Sequence, residues 1–427
     1  MSRSMKDSGI AWVNKIPSDW DIHPLYYYFA ERNRPNRRGK ENNLLSLSYG
    51  KIIKKDINIC EGLLPASYNS YNIIDPLDIV LRLTDLQNDK RSLRTGLSHE
   101  RGIITSAYVT LKPSNRVCPA FFHYLLHAYD VEKVLYNMGN GVRQSLNYAE
   151  LSKLPLLEPS LQEQQRIAGY LDKKCAEVEG LSSNIQKQIE ALEQYKRAVI
   201  TETVTKGLNP SVPMKDSGIP WVGQSPAHWG IKRIKFCCEL SPKFHNKLSP
   251  NTLVSFLPME CVKQGFLVIE KEAELQDVKN GYTYFRENDI IMAKVTPCFE
   301  NGNIAIAKGL LNNVGFGSSE LYVFRPHKIS VPFLFYFLQN TIFKNQAQSV
   351  MYGTGGLKRV PSEFIKNYQF ACPPQSEQQA IAEYLDNKCS KIDTIIQDKQ
   401  QQLEKLEQYK KAIIFEYVTG KKQVPEA

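Results

Sequence analysis

Two segments of the chain carry an apolar residue at almost every seventh position. The first segment has Leu171, Val178, Ile185, Leu192 and Val199, and the second has Leu385, Ile392, Lys399, Leu406 and Ile413. A seven-residue period is typical of helices that pack along one another. We therefore predict two long helices that pack together.

The companion position of this pattern is mixed. Large apolar residues alternate there with polar ones such as Lys174 and Gln188, which leaves polar residues for another surface. The residues predicted to pack between the helices are Leu171, Val178, Leu181, Ile185, Leu192, Tyr195 and Val199, with Leu385, Ile392, Ile395, Leu406, Tyr409 and Ile413. Gly207 and Pro210 end the first helix. An unbroken helix over 162–205 would be roughly 66 Å long at 1.5 Å per residue.

The helical segments belong to a tandem repeat. MKDSGIAWVNKIPSDW at 5–20 recurs as MKDSGIPWVGQSPAHW at 214–229, and EQQRIAGYLDKKC from Glu163 recurs as EQQAIAEYLDNKC from Glu377. Each half thus has an opening tag, a variable block and a helical segment. The predicted boundaries are 1–160, 161–208, 209–374 and 375–427. The end of the chain, 418–421, resembles 204–207, which predicts that the two chain ends meet.

The variable blocks have a different pattern from the helical segments. Runs of β-branched and aromatic residues, at 103–111 and 321–324, are broken by Gly, Asn and Pro. Shorter apolar helices are predicted near 121–136 and 331–343. The fold class is therefore α+β, with two globular domains, two long coiled-coil-like helices and an internal repeat of pseudo-twofold symmetry.

Positive charge is concentrated in the variable parts. Residues 1–160 contain 21 Lys/Arg against 16 Asp/Glu, and residues 209–374 contain 18 against 12. The helical segments are balanced, although the whole chain has a formal net charge of +10. Basic domains suit a polyanion, because each neutralised phosphate releases counterions. A basic surface that only maintains solubility is the alternative.

Several classes of protein are disfavoured. The longest apolar stretch, near 331–338, is shorter than a membrane span, and the first residues lack the pattern of a secretory signal. The nine cysteines include no C-x-x-C pair, so we expect reduced thiols in a cytoplasmic protein, with Cys175 and Cys389 packed beside the helices. Metal-ligand spacing and a phosphate-binding loop are also missing from the sequence.

Polar loops of the first block supply candidate DNA contacts, because Arg, Lys, Asn and Gln contact base edges and phosphates. Those in the first polar loop are Arg34, Arg37 and Arg38. Those after a predicted buried strand are Arg82, Thr84, Gln87, Asn88, Arg91 and Arg94. Those beside a glycine-rich loop are Arg143 and Gln144. A solvated loop or a tight turn is the alternative in each case.

The second block offers an equivalent set. The candidates there are Lys243, Asn246, Lys294, Thr296, Asn301, Lys358 and Arg359, of which the last two follow the glycine-rich loop 353–356. The four tryptophans, by contrast, are expected to hold the opening tags in place by packing.

This order of features resembles the specificity subunits of type I restriction-modification systems, and the resemblance spans nearly the whole chain. Its marks are the two opening tags that end at Trp20 and Trp229, the glycine-rich loops followed by a basic residue, and the helices that begin after Pro159 and Pro374. The family implies two target-recognition domains, each of which recognises one half of a split DNA site. Its two helices pair antiparallel and set the gap.

The resemblance also implies the partners. Double-stranded DNA, two methylation subunits and restriction subunits would bind this chain. S-adenosylmethionine, ATP and Mg would belong to those subunits, so that this chain has no cofactor and no catalytic or metal site. An independent DNA-binding repressor, an enzyme of unfamiliar motif and a scaffold without DNA contact are the alternatives.

Overall fold

The computed structural model describes residues 3–57, 67–86, 93–138, 145–245, 247–354 and 356–425. The chain divides into two compact units, of which unit 1 is Met1–Gln186 with Gln401–Ala427 and unit 2 is Lys187–Gln400. Both long helices contribute residues to both units. The helical segments are therefore not domains of their own. None of the described helices is apolar enough over a sufficient length to cross a membrane.

Unit 1 is built mainly of short strands around one helix, α1 (Pro119–Val131). Its strands are β1 (Met5–Asp7), β2 (Lys15–Pro17), β3 (Asp21–Pro24), β4 (Phe29–Glu31), β5 (Leu45–Ser48), β6 (Lys51–Lys54), β7 (Asn72–Ile74), β8 (Ile79–Leu81), β9 (Thr95–Leu97), β10 (Gly102–Ile104), β11 (Val109–Pro113) and β12 (Pro155–Glu158). Its helices are α1 (Pro119–Val131), α2 (Tyr148–Leu151) and the first part of α3 (Leu161–Lys206).

The main sheet of unit 1 has the antiparallel order β4-β11-β8-β9. A second layer consists of the β5-β6 and β7-β10 pairs, joined by a parallel bridge from Leu44 to Ile103. The core lies between the main sheet, α1 and the long helices, where Phe121, Phe122 and Leu171 are fully buried.

Unit 2 repeats this plan with longer strands. Its strands are β13 (Met214–Asp216), β14 (Gln224–Pro226), β15 (Gly230–Arg233), β16 (Cys238–Leu240), β17 (Leu253–Leu257), β18 (Glu272–Glu274), β19 (Thr283–Arg286), β20 (Ile290–Ala293), β21 (Ile304–Ile306), β22 (Val314–Gly317), β23 (Leu321–Pro326) and β24 (Gln369–Cys372). Its helices are α4 (Leu275–Val278), α5 (Val331–Phe337), α6 (Thr341–Ser349), α7 (Ser362–Asn367) and the first part of α8 (Gln375–Val418).

The sheet topology is the same in the two units. The order β16-β23-β20-β21 corresponds strand by strand to the main sheet of unit 1. The order β18-β17-β22-β19, with β17 parallel to β22, corresponds to the second layer of unit 1. The mixed α+β class and the internal repeat predicted from the sequence are confirmed.

The long helices pack antiparallel in each unit. In unit 1, the hydroxyl of Tyr417 donates to that of Tyr170 at 3.2 Å, and Lys410 Nζ donates to Glu179 Oε1 at 2.7 Å. In unit 2, Lys196 Nζ donates to both carboxylate oxygens of Asp393, at 2.7 and 2.6 Å. Residue numbers thus rise along α3 while they fall along α8.

The predicted companion position of the helix seam is wrong. Leu181, Tyr195, Ile395 and Tyr409 are exposed to 54%, 48%, 44% and 49%. The seven-residue series lies on the inner face, where Leu171, Val178, Leu385, Ile392 and Ile413 are buried and Ile185, Leu192, Val199 and Leu406 are half-buried. The second inner position lies four residues later than each member of this series, not three. It is occupied by Cys175, Ser182, Ile189, Lys196 and Thr203 in α3.

Each opening tag is fixed to the start of a long helix. Trp20 Nε1 donates to Glu163 Oε2 at 3.0 Å, and Trp229 Nε1 donates to Glu377 Oε2 at 3.0 Å. Both indoles are fully buried, as expected for packing residues. A carboxylate near a helix N-terminus also interacts favourably with the helix dipole.

The tags also receive the ends of the long helices. Gly207, at φ +78°, follows α3, and a Cβ added there would meet the Trp229 ring at 3.2 Å. Gly420, at φ +70°, follows α8, and a Cβ added there would overlap Pro17 and approach the Trp20 ring at 3.1 Å. The end of the chain therefore meets its beginning within unit 1, as the repeated end sequence predicted.

Candidate nucleic-acid interface

The arginines of the first polar loop of unit 1 have two kinds of surroundings. Arg32 forms ion pairs with Asp78 and with Asp75, and Arg34 Nη2 donates to Asp75 Oδ1 at 2.8 Å. Arg37 and Arg38 are exposed and form no ion pair with a described residue. The loop thus offers these two guanidiniums to a phosphate, while Arg34 is held by a carboxylate.

Arg94 is the clearest correction to the predicted contacts. Its side chain is buried, and its guanidinium donates to the carbonyl oxygens of Arg82, Thr84 and Asp85 at 3.0, 2.8 and 2.9 Å. Its backbone N–H donates to Asp130 Oδ2 at 3.0 Å. The group that was expected to bind DNA therefore holds the backbone of its own loop.

The other candidates of this loop differ in exposure. The side chain of Arg82 is exposed, whereas Thr84 is half-buried and contributes its carbonyl to Arg94. Gln87, Asn88 and Arg91 lie outside the described residues, as do Arg143 and Gln144 beside the first glycine-rich loop.

The equivalent loop of unit 2 contains a second correction. The Thr296 hydroxyl donates to the Gly356 carbonyl at 2.7 Å and accepts from the Lys358 N–H at 2.9 Å. Thr296 is 8% exposed and both hydrogen-bonding roles of its hydroxyl are used, so it joins two loops and is not available to a base. Lys294 is half-buried, with its Nζ 5.6 Å from the centre of the Tyr322 ring.

Asn301 is exposed at the edge of a cleft of about 930 Å³ within unit 2. Arg197 and Lys344 also line this cleft and were missed by the sequence reasoning, because one lies on a helix predicted to be structural and the other follows an apolar helix. Burial, and then the charge of Arg197, lower the pKa of Lys344. Among the other candidates, Lys243 is exposed and Asn246 lies outside the described residues.

The two cations after the second glycine-rich loop have different surroundings. Arg359 donates to both carboxylate oxygens of Glu320, at 2.8 and 3.0 Å, and this pairing lowers the pKa of Glu320. Lys358 is exposed and pairs with no described carboxylate. Lys358 is therefore the free cation of the pair, and Arg359 is a support of the loop.

A buried aspartate at the equivalent position of each unit forms an ion pair beside these different loops. A buried aspartate after β7 in unit 1, Asp78, pairs with Arg32, and its counterpart Asp289 pairs with Arg325 at 2.7 and 2.9 Å. No group of three side chains suited to a metal occurs among the described residues. The arrangement presents exposed cations and amides from rigid frames, which suits binding to a polyanion.

Comparison with known proteins finds relatives of this chain in one family. A model described as "Type I restriction modification DNA specificity domain" matches residues 104–191 and 234–405. The EcoEI specificity subunit of a type I restriction enzyme from Escherichia coli is 31% identical over 207 residues, which are 47% of this chain and 33% of that protein. Over this match the chain spans about a third of its relative's length.

Longer matches cover nearly all of the chain. The putative MjaX specificity subunit from Methanocaldococcus jannaschii is 26% identical over 439 residues, covering 96% of both chains. The MjaVIII subunit from the same organism is 27% identical over 337 residues, covering 76% of this chain and 75% of that one. A chain from a solved structure on complex assembly and conformational transition of the type I R-M system superposes with a TM-score of 0.69 at 13% identity, covering 95% of this chain and 99% of that one.

Proposed function

Since the chain belongs to the type I restriction modification DNA specificity family, we propose that it is the subunit that selects the DNA site for partner enzymes. Each unit recognises one half of a bipartite site. The single observation that carries this proposal is the repetition of one frame, with the same strand order in both units, under loops that differ in nearly every exposed residue.

Because the two units present different loop residues on the same sheet topology, the DNA site should be asymmetric. Unit 1 offers Arg37, Arg38 and Arg82, whereas unit 2 offers Lys243, Asn301 and Lys358 at its own loops. Base recognition depends on the identity and position of such side chains, so the two half-sites differ in sequence.

The long helices set the spacing between the half-sites in this proposal. Each is unbroken, with bounds Leu161–Lys206 and Gln375–Val418, and each has residues in both units. A helix rises 1.5 Å per residue, so removing seven residues from each shortens it by roughly 10 Å, the length of about three base pairs.

The exposed apolar residues of the helices serve to bind two methylation subunits. Leu181 and Tyr409 lie in unit 1, and their repeat counterparts Ile395 and Tyr195 lie in unit 2. The Nζ of Lys388 lies 5.4 Å from the centre of the Tyr195 ring, so the patch combines an aromatic ring with a cation. Two equivalent patches fit two copies of one partner. The chemistry with S-adenosylmethionine, and with ATP and Mg, belongs to the methylation and restriction subunits.

Coexpression with the methylation subunit, followed by sequencing of methylated bases in the host DNA, tests the proposal. The expected result is one split, asymmetric adenine-methylated motif, whose gap shortens by about three base pairs when seven residues are deleted from each helix. An undivided motif contradicts the two-unit model, and an unchanged gap contradicts the role of the helices. Tight specific binding by the purified chain alone would favour an independent repressor.

A further inference from the structure

Residues 351–354 and 356–359 of unit 2, called here together the tip loop, expose large apolar side chains. Tyr352 is 67% exposed and Leu357 is 52% exposed. Exposed apolar groups that lie close together on a soluble protein mark a binding surface more often than chance packing does. Neither residue was among the contacts predicted from the sequence.

The base of the tip loop is fixed by hydrogen bonds. Tyr352 and Arg359 exchange backbone hydrogen bonds at 3.2 and 2.8 Å, and the Thr296 N–H donates to the Lys358 carbonyl at 2.9 Å. A Cβ at Gly353 would overlap the carbonyl of Leu357, so glycine is needed for the loop to close on itself. The two apolar side chains thus stand on a preorganised turn, which lowers the entropy cost of binding.

The charges around the tip loop favour DNA as its partner. Lys358 is exposed and unpaired among the described residues. The Lys294 carbonyl accepts from the N–H of Val360, the residue after Arg359, at 2.9 Å. Arg359 is neutralised by Glu320. The described charges at the base therefore sum to a net positive value, which complements phosphates and disfavours a basic protein surface.

We propose that the tip loop inserts Tyr352 and Leu357 at a base step of the half-site recognised by unit 2, with Lys358 on a neighbouring phosphate. This inference rests on the proposed function and adds the mode of contact. Apolar side chains inserted between base pairs partly unstack them and bend the duplex. Recognition then depends partly on how easily the target step deforms, and not only on hydrogen bonds to base edges.

The test uses the full chain with its methylation subunit and DNA that carries 2-aminopurine at successive positions of that half-site. The parent complex should raise 2-aminopurine fluorescence at one step. The Tyr352→Ala variant should abolish this rise and weaken binding about 5- to 150-fold, the range for loss of aromatic stacking on a base. Leu357→Ala should act in the same direction.

Salt titrations separate insertion from phosphate contact. Lys358→Ala should lower the slope of log affinity against log salt by about one unit, whereas Tyr352→Ala should leave that slope unchanged. Tyr282→Ala, at another exposed tyrosine of unit 2, should change neither affinity nor fluorescence. Thermal melting checks that each variant is folded.

Three results would overturn the inference. Unchanged affinity in both alanine variants, no fluorescence change at any position, or weakened binding of the methylation subunit in place of DNA would each do so. The last result would assign the tip loop to a protein contact. Failure of the parent complex to bind a specific site would instead overturn the proposed function itself.

Discussion

Replacing Arg94 by alanine should destabilise unit 1 without removing a DNA contact. The buried guanidinium donates to three carbonyl oxygens, those of Arg82, Thr84 and Asp85. A hydrogen bond from a charged donor contributes about 1.5–3 kcal/mol, and the losses are not additive because water can reach the loop. We therefore expect the free energy of unfolding to fall by about 3–5 kcal/mol, which corresponds to a fall in Tm of about 10 °C.

The matched variant is Arg82→Ala, because its side chain is exposed in the same loop. Its unfolding free energy should stay within about 0.5 kcal/mol of the parent value. If Arg82 binds a phosphate, the salt slope of DNA binding should fall by about one unit. Arg94→Lys keeps the charge but has no planar fork of donors, so it should recover little of the lost stability.

Urea unfolding of the chain and DNA titrations of its complex at several salt concentrations provide the two measurements. An Arg94→Ala variant that unfolds at the parent urea concentration and lowers the salt slope as Arg82→Ala does would refute this structural role of Arg94. That outcome would mean that the guanidinium leaves its carbonyl partners for a phosphate when DNA binds.

Three further predictions concern the helices, pH and the helix ends. Tyr409→Ala and Tyr195→Ala should each remove one of two bound methylation subunits, counted by analytical ultracentrifugation, with unchanged unfolding; loss of neither would contradict the docking patches. Burial lowers the pKa of His123 to about 4, so the unfolded chain takes up a proton first as pH falls. His123 should then contribute about 3 kcal/mol to the fall of the unfolding free energy between pH 6.5 and 4, and His123→Gln should reduce that fall by about the same amount in urea titrations. Gly420→Ala should destabilise by more than about 1 kcal/mol, because φ is positive there and the added Cβ would overlap Pro17. Gly180→Ala, in open space on α3, should stabilise by about 1 kcal/mol in the same assay.

The repeat made the architecture predictable from the sequence. Two copies of a tag and a helix, in the same order, imply the same frame twice, and the common strand order confirms it. The helix seam was predictable only in part, because the residues three and four positions after each member of the seven-residue series both lie next to it on a helix. At one turn of α3 the smaller Ser182 occupies the inner position, while the larger Leu181 is exposed.

Individual contacts were harder to predict, because residue type does not specify direction. Arg94 and Thr296 have the chemistry of DNA contacts, but the backbone around them lacks hydrogen-bond partners, and both side chains turn inward to provide them. Tyr352 was missed for the opposite reason, since an aromatic residue in a chain with many buried aromatics gives no sign of exposure.

The end of α8 at Gly420, which lies next to the first tag, has a consequence for the gene. A Cβ added at Gly420 would meet Trp20 as one added at Gly207 would meet Trp229, and the chain runs from Gly207 directly into the tag that contains Trp229. The end of each long helix therefore packs on a tag in the same way in both halves. Consider a circularly permuted gene that begins at Met214 and joins Gly420 to the first tag, at Met5, through six residues like 208–213. It should encode a protein with the same internal packing.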